Sequence, residues 1–243
     1  MKINVILTGY NRPEYLAIQH NAILNQSVSP NKVEIWWNKG DKQPQTMPGL
    51  YGAYCTRNYK YWGRFAMGLL QDCDFLAFFD DDTIPGRDWF KNCIQSFEQK
   101  PGIYGSAGII LNEDSYFKVE GNNVVPTHIK TGWHDQSKEI REVDFVGHSW
   151  FFPKEYLLDF WKEDPFCWET GEDMHFSYAC QKYNNVKTYV PAQYTSTISG
   201  SIMPQFGADQ NASYKNVRHW ELRNEAVKYY IDKGWRTLAN AEN

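Results

Sequence analysis

Three consecutive carboxylates, Asp80-Asp81-Asp82, stand directly after an apolar run, Leu76-Ala77-Phe78-Phe79, and Thr83-Ile84-Pro85 closes the stretch. The run reads as a buried strand that ends where the acids begin. Like charges this close repel one another and are costly in a packed place unless a cation compensates them. An oxygen-rich cluster of this kind suits a hard divalent ion such as Mg2+ or Mn2+. The competing explanation is a solvated acidic turn after a strand.

A second acidic group, Gly171-Glu172-Asp173-Met174-His175, lies at the start of a predicted helix, where the helix dipole favours carboxylates. It offers either a general base for a hydroxyl that must lose its proton or a set of structural caps. The turn Thr8-Gly9-Tyr10-Asn11-Arg12 offers backbone amides, a ring to stack on a base and a guanidinium for phosphate. It is not a G-x-G-x-x-G loop, and no P-loop is present. Arg57 and Arg64 precede the acidic strand, within reach of a diphosphate or on the surface. The histidines are His20, His128, His134, His148, His175 and His219; none has an H-E-x-x-H or H-x-H spacing, which argues against zinc. His148 and Trp150 sit in Val146-Gly147-His148-Ser149-Trp150, a candidate pocket wall, and Trp168 sits in an aromatic loop. No G-x-S-x-G elbow is present, and no cysteine has a nucleophile context.

These residues need elements to position them. Residues 3–8 read as a short strand, and Pro13 suits the first turn of a helix over 14–26 with Leu16, Ala17, Ile23 and Leu24 on its apolar side. Residues 32–37 read as a second strand, giving a βαβ opening of a parallel sheet. The turns at 8–12 and 38–41 then lie at carboxyl ends of strands, the edge where open α/β sheets bind ligands. Residues 38–57, with Pro44, Pro48, Gly49 and Gly52, read as a long structureless connection. A helix over 57–71, with Phe65, Ala66, Leu69 and Leu70 toward the core, leads into the acidic strand. A helix over 86–100 carries Trp89, Phe90, Ile94 and Phe97, and Pro101-Gly102 ends it before a strand over 103–110. From 111 to 150, short β-type runs broken at Gly121-Asn122-Asn123, Gly132 and Gly147 read as a hairpin or two. A helix over 154–163, an aromatic loop over 164–172, a helix over 173–183 and a strand over 186–190 follow. A flexible stretch over 191–212 and a last helix over 213–233 complete the reading.

A chain of 243 residues can bury a full core as one α/β domain. Its net charge of −4 gives no general attraction to nucleic acid or an acidic membrane. Five cysteines, an odd count without a CxxC pair, favour free thiols in a reducing compartment. The opening apolar stretch is too short for a signal peptide, and no stretch approaches the ~18 apolar residues of a membrane span. The expectation is a soluble cytoplasmic protein, a monomer or weak dimer. The 10 Trp and 16 Tyr fill a core or line a sugar-binding groove.

In order, Thr8-x-Tyr10-Asn11-Arg12-Pro13, Arg64 in a helix, Phe78-Phe79-Asp80-Asp81-Asp82, Gly147 after a strand and Gly171-Glu172-Asp173 make a pattern. It resembles a GT-A fold glycosyltransferase of the inverting family 2 type over about residues 2–195. It is also similar to the compact soluble glycosyltransferase domains encoded by large algal viruses. The resemblance implies an α/β fold with a mixed, mostly parallel central sheet flanked by helices, and a small β-hairpin region in the C-terminal half. It implies one domain over 1–243: a nucleotide-binding half at 1–110, an acceptor-binding half at 111–212 and a C-terminal helix at 213–243. The implied activity is metal-dependent transfer of a sugar from a nucleoside-diphosphate donor, UDP favoured, to a hydroxyl of a glycan or glycoconjugate, with inversion. Mn2+ or Mg2+ is the implied cofactor.

The residue roles come with the resemblance. Thr8, Tyr10 and Arg12 hold the nucleobase and ribose, and Asn38 or Asp41 stands where the family often has an aspartate on the base. Arg64 approaches the nucleotide. Asp80 and Asp81 contact ribose and donor, and Asp82, with Asp80, takes the metal. Asp173 is the base, and Glu172 binds acceptor or donor sugar. The chain departs from the pattern at Pro191-Ala192-Gln193-Tyr194-Thr195-Ser196-Thr197, where many GT-A enzymes have a histidine ligand. Either the diphosphate and water complete the metal's shell, or a histidine from elsewhere, such as His148 or His219, does. The stretch 191–212 is expected to close over the donor. Two other functions use the same features: a nucleotidyltransferase or metal phosphohydrolase on the acidic strand end, and a non-catalytic carbohydrate-binding module built on the aromatics.

Overall fold

A computed structural model describes residues 1–44, 47–112, 115–120, 123–133, 136–216 and 218–240. In chain order the elements are β1 Ile3–Gly9, α1 Pro13–Leu24, β2 Lys32–Trp37, β3 Tyr51–Tyr54, α2 Gly63–Leu69, β4 Phe75–Phe79, α3 Trp89–Gln99, β5 Ile103–Tyr104 and β6 Ala107–Leu111. They continue with β7 Phe117–Glu120, β8 Asn123–Pro126, β9 His128–Gly132, β10 Arg141–Val143, β11 Phe145–Gly147, β12 Ser149–Pro153, α4 Leu157–Phe160, α5 Glu172–Asn184, β13 Thr188–Val190 and α6 His219–Asp232. An eight-stranded sheet runs β10-β13-β5-β12-β4-β1-β2-β3, a three-stranded sheet runs β11-β6-β9, and β7 pairs with β8. The fold is mixed α/β with a mostly parallel central sheet, as the sequence implies.

β1 is buried at every residue because helices cover both faces of the sheet there, so it reads as an unbroken apolar run. It pairs in parallel with β2 and β4, which brings Gly9, Trp37 and Phe79 to one edge. At Gly9 a Cβ would lie 2.1 Å from the Trp37 ring, so only glycine lets the strand end against that indole. β12 runs antiparallel to β4, with Ser149 opposite Phe79. Its first residues therefore lie at the edge where β4 finishes.

Several sequence expectations need correction. Residues 38–57 are not structureless: β3 adds to the sheet in parallel beside β2. The helix expected over 57–71 is the shorter α2. It buries Gly63, Arg64, Phe65 and Gly68, whereas Leu70 is 86% exposed and Ala66 also faces solvent. Gly68 sits tight on Leu157, where a Cβ would lie 2.6 Å from Cδ1, so close packing fixes that face. On α1 the buried residues are Leu16, Gln19, His20 and Ile23, while Ala17 and Leu24 are exposed. Gln19 is drawn inward because its amide donates to the carbonyls of Asp80 (2.6 Å) and Thr83 (2.9 Å), bracing the acidic turn. The strand expected over 103–110 divides at Gly105-Ser106 into β5 and β6, which join different sheets. The helix over 154–163 is a single 3-10 turn, Lys154–Tyr156, followed by α4. The last helix begins at His219, after the 3-10 turn Ser213–Lys215. The β7/β8 hairpin fits the expected one, although its turn residues Gly121 and Asn122, like His134, lie outside the described residues. All five cysteines are free. Among the described residues no helix is long and apolar enough to cross a membrane.

Candidate active site

The acidic turn leaves β4 at the centre of the large sheet, and its first backbone amide continues the pairing with β12. The Asp80 N–H donates to the His148 carbonyl at 2.9 Å. This bond fixes His148 beside the carboxylates although 65 residues of chain separate it from Asp82. His148 adopts a left-handed backbone (φ 68), uncommon for a non-glycine residue and frequent at functional sites. Its ring stacks on Trp133 with centroids 3.7 Å apart. Its Nδ1 lies 3.8 Å from Asp82 Oδ1 and is a buried nitrogen without a hydrogen-bond partner.

Each acid of the site has an internal counter-ion. Arg12 Nη1 donates to Asp81 Oδ1 at 2.5 Å and Asp82 Oδ2 at 3.0 Å, while its Nε and Nη2 grip both oxygens of Asp209 at 2.8 Å. The Tyr10 N–H donates to Asp81 Oδ2 at 3.0 Å. Fully buried Arg64 bridges Asp80 and Glu172, the latter at 3.0 Å, and its guanidinium lies 4.2 Å from the Trp150 ring. Arg223 pairs with Asp173. Six carboxylates, Asp80, Asp81, Asp82, Glu172, Asp173 and Asp209, thus surround three guanidinium groups, and the cluster retains an excess of negative charge.

Burial moves these groups in different directions. It raises the Asp81 carboxyl, against the pull of Arg12, to about 7. Burial, reinforced by neighbouring Asp173, raises Glu172 to about 8 despite Arg64. For Asp82 burial also opposes ionisation, but His148 and Arg12 outweigh it and hold the carboxyl below the ordinary range.

One ligand atom from each of Asp80, Asp82 and His148 falls within a 4.8 Å span. Two ligands about 2.1 Å from one ion lie roughly 3 to 4 Å apart. The 3.8 Å between His148 Nδ1 and Asp82 Oδ1, the orphaned imidazole nitrogen and the surplus negative charge all fit a divalent cation.

Across the cavity, Gly171 adopts φ +88 and turns the aromatic loop into α5, so that Glu172 and Asp173 open the helix. Asp173 Oδ1 accepts the Met174 N–H at 2.8 Å and Arg223 Nη1 at 3.3 Å, and Oδ2 accepts Arg223 Nη2 at 2.8 Å. His175 is structural: its ring nitrogens engage the Phe160 carbonyl and the Tyr230 hydroxyl. His219 lines the cavity near Arg223 and Asp173, and burial first, then Arg223, lower it to about 4, so it is neutral at pH 7.

The cavity holds about 920 Å³ and includes Thr8, Tyr10, Arg12, Asn38, the three aspartates, His148, Trp150, Glu172 and Asp173 in its wall. Asn38 accepts from the Trp36 indole and the Tyr59 N–H and donates to the Lys60 carbonyl, shaping the turn after β2. Arg64 lies behind the wall, under Asp80 and Glu172. Arg57 packs over Tyr59 instead, and Asp41 is exposed outside the lining. Trp168 is outside the lining as well; it is 57% exposed and packs edge-on to Trp62. Residues 203–216 cross the cavity as a strap. Phe206 stacks on Tyr15 at 4.1 Å, and a Cβ at Gly207 would lie 3.0 Å from Asp82 Oδ2. Arg223 and Asp209 have no signal in the sequence, because nothing local marks an arginine or aspartate that acts only through tertiary contact.

No protein-family profile matches the chain. No curated protein matches it either. Solved structures do: S. aureus TarS 1–349 is 17% identical over 79% of this chain and 58% of that one, with a TM-score of 0.50. The same region of TarS in complex with UDP is 18% identical over the same shares, again with a TM-score of 0.50. The chain therefore spans less than two thirds of the TarS region it matches. At this identity the likeness is one of fold, and that fold is the GT-A-like, mostly parallel α/β architecture.

Proposed function

We propose that the protein is a metal-dependent, inverting glycosyltransferase that moves a sugar from a nucleoside-diphosphate donor to a hydroxyl of a carbohydrate acceptor. The observation that carries this reading is the pairing of the Asp80/Asp82/His148 cluster with Asp173 in the wall of one 920 Å³ cavity. A structure of similar fold is a complex with UDP, which favours a uridine donor.

Asp82, Asp80 and His148 would hold Mn2+ or Mg2+, which when bound neutralises charge on the departing diphosphate. Thr8, Tyr10 and Asn38 hold the nucleoside. Arg12 and Arg64 keep the carboxylates in place rather than offering free guanidinium groups. Asp173 accepts the acceptor's proton as the hydroxyl oxygen bonds to the anomeric carbon and the bond to the diphosphate oxygen breaks on the opposite face. Glu172, anchored on Arg64, faces the transferred sugar. The strap 203–216 excludes water and so limits donor hydrolysis.

Incubation with a panel of UDP- and GDP-sugars, Mn2+ and simple glycan acceptors tests the reading. The expected products are the nucleoside diphosphate and a glycoside of inverted anomeric configuration, both suppressed by chelator. Release of pyrophosphate or nucleoside monophosphate instead would overturn it.

A further inference from the structure

We infer that Arg223, on the C-terminal helix, is a positioning residue for Asp173: it fixes the carboxylate's orientation, so that α6 is part of the catalytic apparatus. The inference rests on the proposed role of Asp173 as base.

Arg223 is buried and reaches 50 residues back along the chain to hold both oxygens of Asp173. Its guanidinium also packs on two rings, 4.7 Å from Tyr116 and 5.3 Å from Phe145. A planar fork packed against two rings and bound to both carboxylate oxygens leaves Asp173 little rotational freedom. The two oxygens are not equivalent. Oδ1 already accepts two N–H groups, from Met174 and Arg223, whereas Oδ2 accepts one. Oδ2 therefore has the remaining acceptor capacity for an incoming hydroxyl.

Other charges around Asp173 do not replace this contact. Glu172 on the same helix is a carboxyl and offers no cation, and Arg64 on α2 is occupied by Asp80 and Glu172. His219 and Tyr230 on α6, and Tyr116 before β7, are the other titratable neighbours. Burial lowers His219, so it carries no charge at neutral pH. Arg223 is the cation bonded to the base. Its position depends on α6 docking through Ala226, Val227 and Tyr230.

The test combines a spectroscopic signature with a kinetic cycle. Carbon-13 labelling of aspartate carboxyls, with Asp173→Asn to assign the signal, reports the surroundings of the Asp173 carboxylate without requiring any transfer activity. Arg223→Gln and Arg223→Lys, which both lose the fork, are each expected to move that signal. In transfer assays Arg223→Gln should lower kcat by about 10²-fold with donor KM little changed. In the Asp173→Asn background, Arg223→Gln should cost nothing further, because it acts through the missing group. An unmoved carboxyl signal in Arg223→Gln, or effects that multiply in the double variant, overturns the assignment. If Arg223→Gln does not fold, Arg223→Lys decides: an unmoved signal with wild-type kcat excludes a role for the fork. Absence of transfer by the wild-type protein counts against the glycosyltransferase reading, and the carboxyl signal still decides the Arg223 contact.

Discussion

At the scale of single residues, the proposed metal cluster is the part most open to test. His148→Ala and Asp82→Ala should each weaken Mn2+-dependent UDP binding at least 10-fold by calorimetry, while binding with chelator present stays unchanged. Equal Mn2+ dependence in wild type and His148→Ala would remove the histidine from the ligand set. Asp173→Asn separates the proposed base from binding: transfer should fall about 10²- to 10⁴-fold with UDP affinity within about two-fold of wild type. Transfer at the wild-type rate would mean another group takes the proton. The acids themselves were legible in the sequence, because an apolar run ending in Asp80-Asp81-Asp82 and a Gly171-Glu172-Asp173 turn are local patterns. Their cations were not. Arg12, which the resemblance sets on the nucleobase and ribose, pairs with Asp81, Asp82 and Asp209. Arg223 and Asp209 carry no local signal, since each meets a partner 50 or more residues away.

At the scale of elements, strands were read well where burial is continuous, and helix faces were read poorly where close packing replaces large apolar side chains. α2 shows why: its inner face is Gly63, Arg64, Phe65 and Gly68, so hydrophobic spacing pointed to Leu69 and Leu70, which face solvent. Strand β3 was missed because Tyr51-Gly52-Ala53-Tyr54 is a short edge strand with little buried surface. Where the C-terminal segment meets β6, a single carboxylate joins them. Asp144 accepts the N–H groups of Leu111 at 2.6 Å and Leu238 at 2.7 Å. Burial, against those two bonds, raises its carboxyl to about 6. The folded value lies above the unfolded one. Its contribution to stability is therefore fully present below about pH 4 and is lost as pH rises through 6. Urea melts should show the wild-type advantage over Asp144→Asn to be larger at pH 4.5 than at pH 7.5 by about 2 kcal/mol. An equal advantage at both pH values would show that Asp144 is not held protonated.

At the scale of the whole molecule, the strap over residues 203–216 ties the C-terminal part of the chain to its first helix. The Arg12–Asp209 pair and the Phe206–Tyr15 stack hold it across the cavity. Asp209 is held below the usual carboxylate range, first by its bonds to Arg12, so this latch weakens only as the medium becomes strongly acidic. Asp209→Ala should expose the strap to limited proteolysis at neutral pH and raise donor hydrolysis relative to transfer. Unchanged cleavage and partitioning would show that the strap closes without its latch. The antiparallel pairing of β4 with β12 has a separate consequence. It fixes the backbone of His148 beside Asp82 by strand register, whatever the length of the 65 residues between them. Changes across 112–140 that spare Tyr116 and Trp133 can therefore accumulate while the chemical centre stays constant. A one-residue slip in β12, by contrast, would swing the imidazole to the other face. The molecule is evolvable on the side that would choose the acceptor and inflexible at the side that would perform the transfer.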